Sequence, residues 1–215
     1  MNVPEFLTPQ NMESKHTHAS ILLGTLPKIG TKVSRVVELG SGNGVVLVIM
    51  AKLNPIRELI GIEINEKSCE IAREIVQMNG LTDRIRIINA DVRDAAKILG
   101  YESVDCVVFN PPFHNDGKKS EENKRFFERN VDDFEDFVVA AKSILKYGHE
   151  FFAITSPKNW ILDINVFVKH NMVPKAVTPI YGKSGVDSKM IFVEGKKGGK
   201  IGGFKLHPPI LLDRF

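Results

Sequence analysis

Residues 36–44 read VVELGSGNG, and this stretch decides the fold of the chain. It ends an apolar strand pattern, and residues 45–53 continue beyond it as a helix. A glycine-rich turn between a strand and a helix lets the backbone approach a ligand closely, because glycine has no Cβ. The stretch therefore favours a ligand-binding turn, although a plain tight connection between the two elements would also use these glycines.

Strand-length apolar runs alternate with longer amphipathic segments on both sides of this turn. The predicted strands are 33–39, 58–64, 84–88, 103–109, 150–155, 175–181 and 189–194, and the predicted helices are 18–26, 45–53, 66–79, 93–99, 131–145 and 158–170. Such alternation is typical of a parallel sheet with crossover helices. The last two strands are separated only by residues 182–187, which predicts an antiparallel hairpin. We therefore expect an α/β fold with a seven-stranded, mostly parallel sheet, a C-terminal antiparallel hairpin and helices on both faces.

The composition is that of an ordinary globular protein. The chain has 215 residues, of which 43% are hydrophobic and 26% charged, enough for one large core. We expect a single domain over residues 1–215, in which 31–215 form the core and 1–30 cover it on the substrate side. No apolar run approaches the roughly 18 residues of a membrane span, and residues 1–10 lack the pattern of a signal peptide. These features predict a cytoplasmic protein without membrane contact.

The two cysteines lie in apolar patterns. Cys69 falls in a predicted helix and Cys106 in a predicted strand. Each is expected to be a small core residue and not half of a disulfide or a metal ligand, so the sequence predicts no metal site. The net charge of +3 is only a weak argument for a polyanionic partner, because modest basicity is common in proteins.

Three carboxylates follow or end successive predicted strands. Glu38 precedes the glycines and is placed to accept a hydrogen bond from a ligand ammonium, which a phosphate-binding loop would not need. Glu63 ends the second strand, where it can accept from both hydroxyls of a ribose, and Asp91 follows the third, where it can accept from an adenine amine. Helix capping or surface exposure is the alternative for Glu63 and Asp91. Ammonium, ribose and adenine are the polar groups of S-adenosylmethionine (SAM).

These segments resemble the successive motifs of class I methyltransferases over about residues 33–155. The resemblance implies a Rossmann-like SAM methyltransferase fold with SAM as the cofactor. The residues that it places at the cofactor are Glu38, Gly40, Ser41, Gly42, Asn43, Gly44, Glu63, Ile64, Asp91, Val92 and Asn110.

Asn110, Pro111, Pro112 and Phe113 directly follow the fourth predicted strand and resemble the (D/N/S)-P-P-(Y/F/W) motif of amino-methylating enzymes. An exocyclic amine is a poor nucleophile because its lone pair is delocalised, so catalysis needs acceptors that hold both N–H bonds. Asn110 Oδ1 and the Pro111 carbonyl can be these acceptors, on a backbone that the two prolines stiffen. Phe113 can stack on a flat substrate. A turn that merely leaves the strand is the alternative.

The chemistry alone leaves adenine N6, cytosine N4, guanine N2 and a glutamine amide as acceptors. The chain length, the segment 10–23, the Asn-Pro-Pro-Phe motif with its polar loop and the ending 192–199 are together similar to bacterial tRNA(Val) adenine-N6 methyltransferases. That family modifies the adenosine 3′ of the anticodon. The resemblance implies an RNA substrate, with tRNA favoured, and it leaves the oligomeric state open between monomer and homodimer.

Other resemblances keep alternatives open. Residues 113–117 also resemble the motif of ribosomal RNA guanine-N2 methyltransferases, which usually carry a duplicated N-terminal domain. Glutamine-amide methyltransferases that act on release factors share the tetrapeptide but normally add an N-terminal helical domain. A non-catalytic RNA-binding scaffold on the same fold is the alternative outside enzymes.

Two basic segments are candidate RNA contacts. The residues are Lys118, Lys119, Lys124 and Arg125, which lie near Phe126 and Phe127, and Lys196 and Lys197 near the C-terminus. Such segments can neutralise phosphates, and interleaved aromatic rings can stack on bases. The first segment is equally typical of an amphipathic helix start. The second lies within the glycine- and lysine-rich residues 195–203, which are predicted to form a solvated loop.

Overall fold

The computed structural model describes residues 3–9, 17–111 and 133–214, with the side chains of residues 133 and 214 excepted. The helices are α1 (His18–Thr25), α2 (Val45–Leu53), α3 (Glu66–Met78), α4 (Ala95–Leu99), α5 (Asp133–Ile144) and α6 (Trp160–Lys169). The strands are β1 (Arg35–Leu39), β2 (Glu58–Glu63), β3 (Ile85–Asn89), β4 (Val104–Phe109), β5 (Leu145–Thr155), β6 (Met172–Tyr181), β7 (Ser188–Lys197), β8 (Lys205–Leu206) and β9 (Ile210–Leu211). Short 3₁₀ turns occur at Val92–Asp94, Pro157–Asn159 and Leu212–Arg214.

All of these strands belong to one sheet, ordered β3-β2-β1-β4-β5-β7-β6-β8, with β9 paired to β6. Strands β1 to β5 are mutually parallel, and β7 is antiparallel to both β5 and β6. The seven predicted strands and the C-terminal hairpin are therefore confirmed. The two-residue strands β8 and β9 were not predicted, because two residues carry no periodic pattern.

Helix α3 shows how local sequence fixes an element at the functional end of the sheet. Asn65 Oδ1 accepts a hydrogen bond from the Ser68 amide at 3.0 Å and caps the helix. The buried residues Cys69, Ala72, Ile75 and Val76 recur at helical spacing. Gly80 follows with a positive φ of 65°. The predicted helix 66–79 is confirmed to within one residue.

The core lies on both faces of the sheet. Every residue of β4 is buried, as expected for a central strand covered on both sides. Val36 and Val108 face α1, α2 and α3, whereas Val37 and Val107 face the side covered by α4, α5 and α6. Cys69 and Cys106 are both buried and free, as predicted.

Two strands are longer than predicted. β5 begins at Leu145, directly after α5, and not at residue 150. β7 continues to Lys197 because Lys196 pairs with Glu150 on β5 and Lys197 with Met172 on β6. The prediction of a loop over residues 195–203 is therefore wrong for residues 195–197. Cross-strand partners, which a single strand's pattern does not reveal, extend both strands.

The described N-terminal residues 3–9 lie at the edge of the sheet where the parallel strands begin. The Leu7 amide donates to Asn79 Oδ1 at 3.0 Å, and Lys52 Nζ donates to the Glu5 carbonyl at 2.8 Å. Lys52 and Asn79 are at the C-terminal ends of α2 and α3, which run away from the carboxyl edge. The predicted place of segment 1–30 on the substrate side is thus wrong for residues 3–9, whereas α1 packs on α2.

Within 3–9, 17–111 and 133–214, no helix is both long and apolar enough to cross a membrane. The same residues contain no group of three or more histidine, cysteine, aspartate or glutamate side chains arranged to hold a metal ion.

Candidate functional site

The candidate site lies at the carboxyl edge of the parallel strands, between β1 and β4. The chain winds outward from β1 through β2 to β3, and then returns to the other side of β1 as β4. Loops that leave adjacent strands in opposite directions open a crevice at such a switch point, where open α/β sheets bind their ligands. Among the described residues, the predicted ones that follow β1, β2, β3 and β4 meet at this edge.

The glycine turn has a backbone that other residues would not readily adopt. Gly40, Gly42 and Gly44 have φ values of 70°, 50° and 74°. The amides of Gly40 and Ser41 both donate to the Ile62 carbonyl, at 2.8 and 3.1 Å. The turn is thereby fixed to the end of β2, and it brings backbone atoms close to the crevice.

Glu63 ties this turn to the start of α3. Its Oε2 accepts from the Gly42 amide at 2.8 Å, and its Oε1 accepts from the Asn65 amide at 2.8 Å. Each carboxylate oxygen can accept more than one hydrogen bond, so the side chain keeps capacity for ligand hydroxyls. Glu63 therefore has a structural role that the sequence did not predict, alongside its predicted ribose contact.

Glu38 is a buried acid whose charge is not balanced by the described part of the protein. Its side chain is 3% exposed, and Oε2 has no hydrogen-bond partner among the described residues. Burial raises its pKa well above the ordinary value, and the nearby charge of Glu63 raises it further. A cation at this position would both neutralise the carboxylate and supply the missing donors. These properties fit the ammonium group of SAM.

Asp91 already has a partner in its own loop. It accepts from the Arg93 amide at 2.9 Å and from Arg93 Nε at 3.0 Å, and so caps the turn Val92–Asp94. This is the capping role that the sequence left open. The predicted contact with an adenine amine would have to use the remaining acceptor capacity of the carboxylate. Ile64 is 53% exposed beside this loop, which suits an apolar contact to a flat ring.

Asn110 directly follows β4 at the centre of the crevice. Its Oδ1 is shielded from solvent and has no hydrogen-bond partner among the described residues, and Pro111 is buried. An amide oxygen in this condition is a ready acceptor for a ligand N–H. Pro112 and Phe113, which were predicted to complete the motif, lie outside the described residues.

Buried polar atoms without a hydrogen-bond partner are concentrated at this edge. In the described ranges they are Glu38 Oε2, Ser41 Oγ, Asn110 Oδ1, Thr155 Oγ1 and Arg35 Nε. The first four lie near or just after the carboxyl ends of β1, β4 and β5. Arg35 Nε, at the other edge, is still charge-paired with Glu58 Oε2 at 2.9 Å. Because each such atom costs about 1–3 kcal/mol, their clustering marks a binding edge.

The predicted RNA contacts divide into three cases. Lys118, Lys119, Lys124 and Arg125 lie outside the described residues. Lys196 is exposed but lies opposite Glu150, at the edge far from Asn110, because β7 runs antiparallel to β5.

The prediction for Lys197 is wrong. Its side chain is buried, and its ammonium contacts Glu102 Oε1 at 2.8 Å and the Lys142 and Leu145 carbonyls at 2.6 and 2.7 Å. These contacts join β7 to α5 and leave no donor free for RNA. The glycine-rich sequence around Lys197 predicted a loop. The residues that its ammonium contacts are distant in sequence, so the local pattern did not indicate them.

The tip of the β6–β7 hairpin is a surface that the sequence analysis missed. Because β6 runs parallel to β5, residues 182–187 leave the sheet at the carboxyl edge. Lys183 and Lys189 are exposed there, and Lys158 is exposed just after β5. The predicted hairpin already contained the signal, since strand direction alone places its tip on the side of the site.

The sheet order and the acid-bearing glycine turn at its switch point define the Rossmann-like class of SAM-dependent methyltransferases. A predicted O-methyltransferase from Agrobacterium tumefaciens has the same fold, with a TM-score of 0.72, 20% identity and coverage of 90% of this chain and 86% of that one. A putative RNA methyltransferase from Pyrococcus horikoshii has a TM-score of 0.62 at 18% identity, covering 91% and 92% of the two chains.

The chain belongs to the methyltransferase small domain family, which matches residues 14–159. A tRNA1(Val) (adenine(37)-N6)-methyltransferase from Porphyromonas gingivalis is 24% identical over 148 residues, which are 66% of this chain and 58% of that protein. An rRNA N(6)-adenosine-methyltransferase from Caenorhabditis elegans is 25% identical over 85 residues, 40% of each chain. A 4-amino-L-phenylalanine/4-methylamino-L-phenylalanine methyltransferase from Streptomyces pristinaespiralis is 35% identical over 91 residues, 42% of this chain and 30% of that one. The predicted fold class and the predicted membership of the SAM-dependent methyltransferases are confirmed.

Proposed function

We propose that this protein transfers a methyl group from SAM to the exocyclic N6 of an adenine in RNA, specifically in tRNA(Val) beside the anticodon. The observation that carries the proposal is Asn110 Oδ1, a buried acceptor without a protein partner among the described residues, at the switch point of the sheet. The family supports methyl transfer. The names of relatives that act on adenosine in tRNA and rRNA support the substrate.

The residues around the glycine turn are suited to hold SAM by its three polar groups. Glu38 would bind the ammonium, since burial makes its isolated charge unfavourable and an adjacent cation makes it favourable. Glu63 would accept from the ribose hydroxyls while the Gly42 and Asn65 amides hold the carboxylate in place. Asp91, with Ile64, would contact the adenine. The bound cofactor would supply an electrophilic methyl group on a sulfonium.

The residues after β4 would align the acceptor amine. Asn110 Oδ1 and the Pro111 carbonyl would each accept one N–H, which turns the nitrogen lone pair toward the methyl donor. Both acceptors directly follow a strand whose residues are all buried, so little reorganisation is needed when the amine binds. No general base is required, because the amine proton becomes acidic only as the new N–C bond forms, and water can take it.

A comparison of candidate substrates tests this proposal. Purified protein and labelled SAM are incubated separately with total tRNA, ribosomal RNA, a release factor and 4-amino-L-phenylalanine, and the product is identified by mass spectrometry. We expect N6-methyladenosine in tRNA. Methylation of guanine N2, of glutamine or of the arylamine would instead assign the corresponding alternative. Failure to bind SAM in calorimetry would favour a non-catalytic scaffold.

A further inference from the structure

Thr155 is a buried polar residue at the site edge that the proposed reaction has not yet used. It is the last residue of β5 and is 1% exposed, and its Oγ1 has no hydrogen-bond partner among the described residues. In the β4–β5 register Phe109 lies beside Ala153. The observed pairing ends there; the same parallel register, continued by two residues, would place Thr155 beside Pro111, whose carbonyl is one of the proposed amine acceptors.

The described side chains around Thr155 provide no partner for its hydroxyl. Alternation along β5 puts Thr155 on the same face as Phe151 and Ala153, which belong to the apolar core under α5 and α6. A valine has nearly the same shape and would fill this place without leaving a polar atom unpaired. The hydroxyl therefore lowers the stability of the protein relative to valine, unless a bound molecule hydrogen-bonds to it.

We infer that Thr155 is a substrate-contacting residue whose hydroxyl hydrogen-bonds the acceptor base beside its amine. The inference rests on the proposed function. Asn110 and Pro111 would use both N–H bonds of the amine, which fixes the nitrogen but still allows the base to tilt about it. In adenine, N1 and N7 are the acceptor nitrogens nearest the amine. A hydrogen bond from the Thr155 hydroxyl to one of these nitrogens would fix the plane of the base. Thr155 would then favour bases that carry an acceptor at that ring position.

Two substitutions separate the hydroxyl from the shape of the side chain. Thr155→Val keeps the volume and removes the hydroxyl, whereas Thr155→Ser keeps the hydroxyl. We expect Thr155→Val to lower kcat about tenfold, because one neutral hydrogen bond in the transition state is lost, with the melting temperature unchanged or higher and SAM affinity unchanged. Thr155→Ser should retain kcat within about twofold. Thr178→Val, at a buried threonine of β6 on the other face of the sheet, is the matched control and should retain full kcat.

Base analogues then test the contact itself. RNA with 1-deazaadenosine or 7-deazaadenosine at the methylated position lacks one of the two ring nitrogens. Wild type should lose about tenfold in kcat with one of these analogues, and Thr155→Val should lose nothing further with that same analogue, because the two changes remove one hydrogen bond. Equal losses in both proteins would overturn the inference, as would full kcat in Thr155→Val or equal losses in Thr155→Val and Thr155→Ser.

The result also separates this inference from the proposed function. If wild type methylates a different acceptor, the RNA proposal fails, and the two Thr155 variants are compared on that acceptor instead. If wild type methylates adenine in RNA and Thr155→Val does so equally well, only the inference fails. A wild type that methylates none of the four substrate classes overturns both.

Discussion

Two buried carboxylates, Asp105 and Glu38, lie on the neighbouring strands β4 and β1 and have opposite surroundings. Asp105, near the start of β4, accepts from the Ser34 and Arg35 amides at 3.0 Å each and from the Ser34 hydroxyl at 3.1 Å, and it pairs with Lys146 at 2.6 Å. Burial raises its pKa, but these hydrogen bonds, that of Lys146 first, outweigh burial and lower the pKa from 3.8 to about 2.

Glu38, near the end of β1, has no such set of donors among the residues that the structure describes. Burial raises its pKa, the charge of Glu63 adds to the rise, and Oε2 has no hydrogen-bond partner in the described part of the chain. The amino edge even contains a cleft of about 540 Å³, but it includes the mutual pairs Arg35–Glu58 and Lys146–Asp105. The difference indicates that protein groups balance the buried charge at the amino edge, whereas a bound ligand is needed to balance it at the carboxyl edge.

The largest effect is expected at Asn110. Asn110→Ala removes one of the two proposed amine acceptors and should lower turnover by about 10²–10³-fold, the usual cost of losing one preorganised donor or acceptor at a reacting group. SAM affinity, measured by calorimetry, should stay within about twofold of wild type, because the side chain acts on the substrate amine. Asn54→Ala, at the C-terminal end of α2 on the amino edge, is the control and should keep full turnover. Equal loss of SAM binding in Asn110→Ala would contradict this role.

Glu38→Gln should weaken SAM binding by about 10–100-fold, because it removes a charge-assisted hydrogen bond to the ammonium. The free energy of unfolding should stay the same or rise, since an unbalanced buried charge is removed. Affinity of wild type should also fall as pH is lowered, and the fall should begin above the ordinary carboxyl range, because the raised pKa lets Glu38 take up a proton early. A variant that is unstable but binds SAM normally would show that Glu38 is structural.

Asp105→Asn should lower the free energy of unfolding and leave SAM affinity unchanged, which is the reverse of the effect expected for Glu38→Gln. The folded-state pKa is below the unfolded value, so the ionised carboxylate stabilises the fold above pH 4, and this contribution is lost as pH falls through about 2. The shift from 3.8 to about 2 corresponds to roughly 2 kcal/mol of unfolding free energy near neutral pH. Urea unfolding at pH 7 and at pH 3 should therefore show a smaller difference between variant and wild type at the lower pH. Loss of SAM affinity in the folded variant would contradict the division between the two edges.

This comparison also explains which features the sequence could predict. The glycine turn and Glu38 lie within nine residues, and the order of strands and helices follows from local periodicity, so both were predicted. The capping of the Val92–Asp94 turn by Asp91 is equally local and was foreseen as an alternative.

Features that depend on contacts between distant segments were missed. Lys197 is buried and pairs with Glu102, 95 residues away in the chain. No pattern around residue 197 indicates this ion pair. Two of the residues that donate to Asp105 lie about 70 positions earlier and Lys146 lies 41 positions later. That Thr155 Oγ1 has no partner among the described residues is likewise visible only when its neighbours are in place. Local sequence therefore predicted the order of strands and helices and the glycine turn, but not the side-chain contacts that join distant segments.

The smallest effect is expected from substitution of surface lysines. Lysines at the carboxyl edge and at the amino edge can be compared directly for their contribution to RNA binding. Lys183 and Lys189 flank the hairpin tip at the carboxyl edge, where Asp187 is the single acid in residues 182–189, whereas Lys196 is exposed at the amino edge. The double variant Lys183→Ala and Lys189→Ala should weaken binding of the RNA substrate a few-fold, because each lost phosphate contact releases about one counterion fewer.

The salt dependence of RNA binding separates this effect from misfolding. The slope of log K against log salt should fall by about one to two in the double variant, and Lys196→Ala should leave both affinity and slope unchanged. Loss in Lys196→Ala with full binding by the double variant would place the RNA across the amino edge instead. Because the proposed reaction delivers the methyl group beside Asn110, an RNA bound only at the amino edge could not present its base to the site, and the assignment of the carboxyl edge would have to be abandoned.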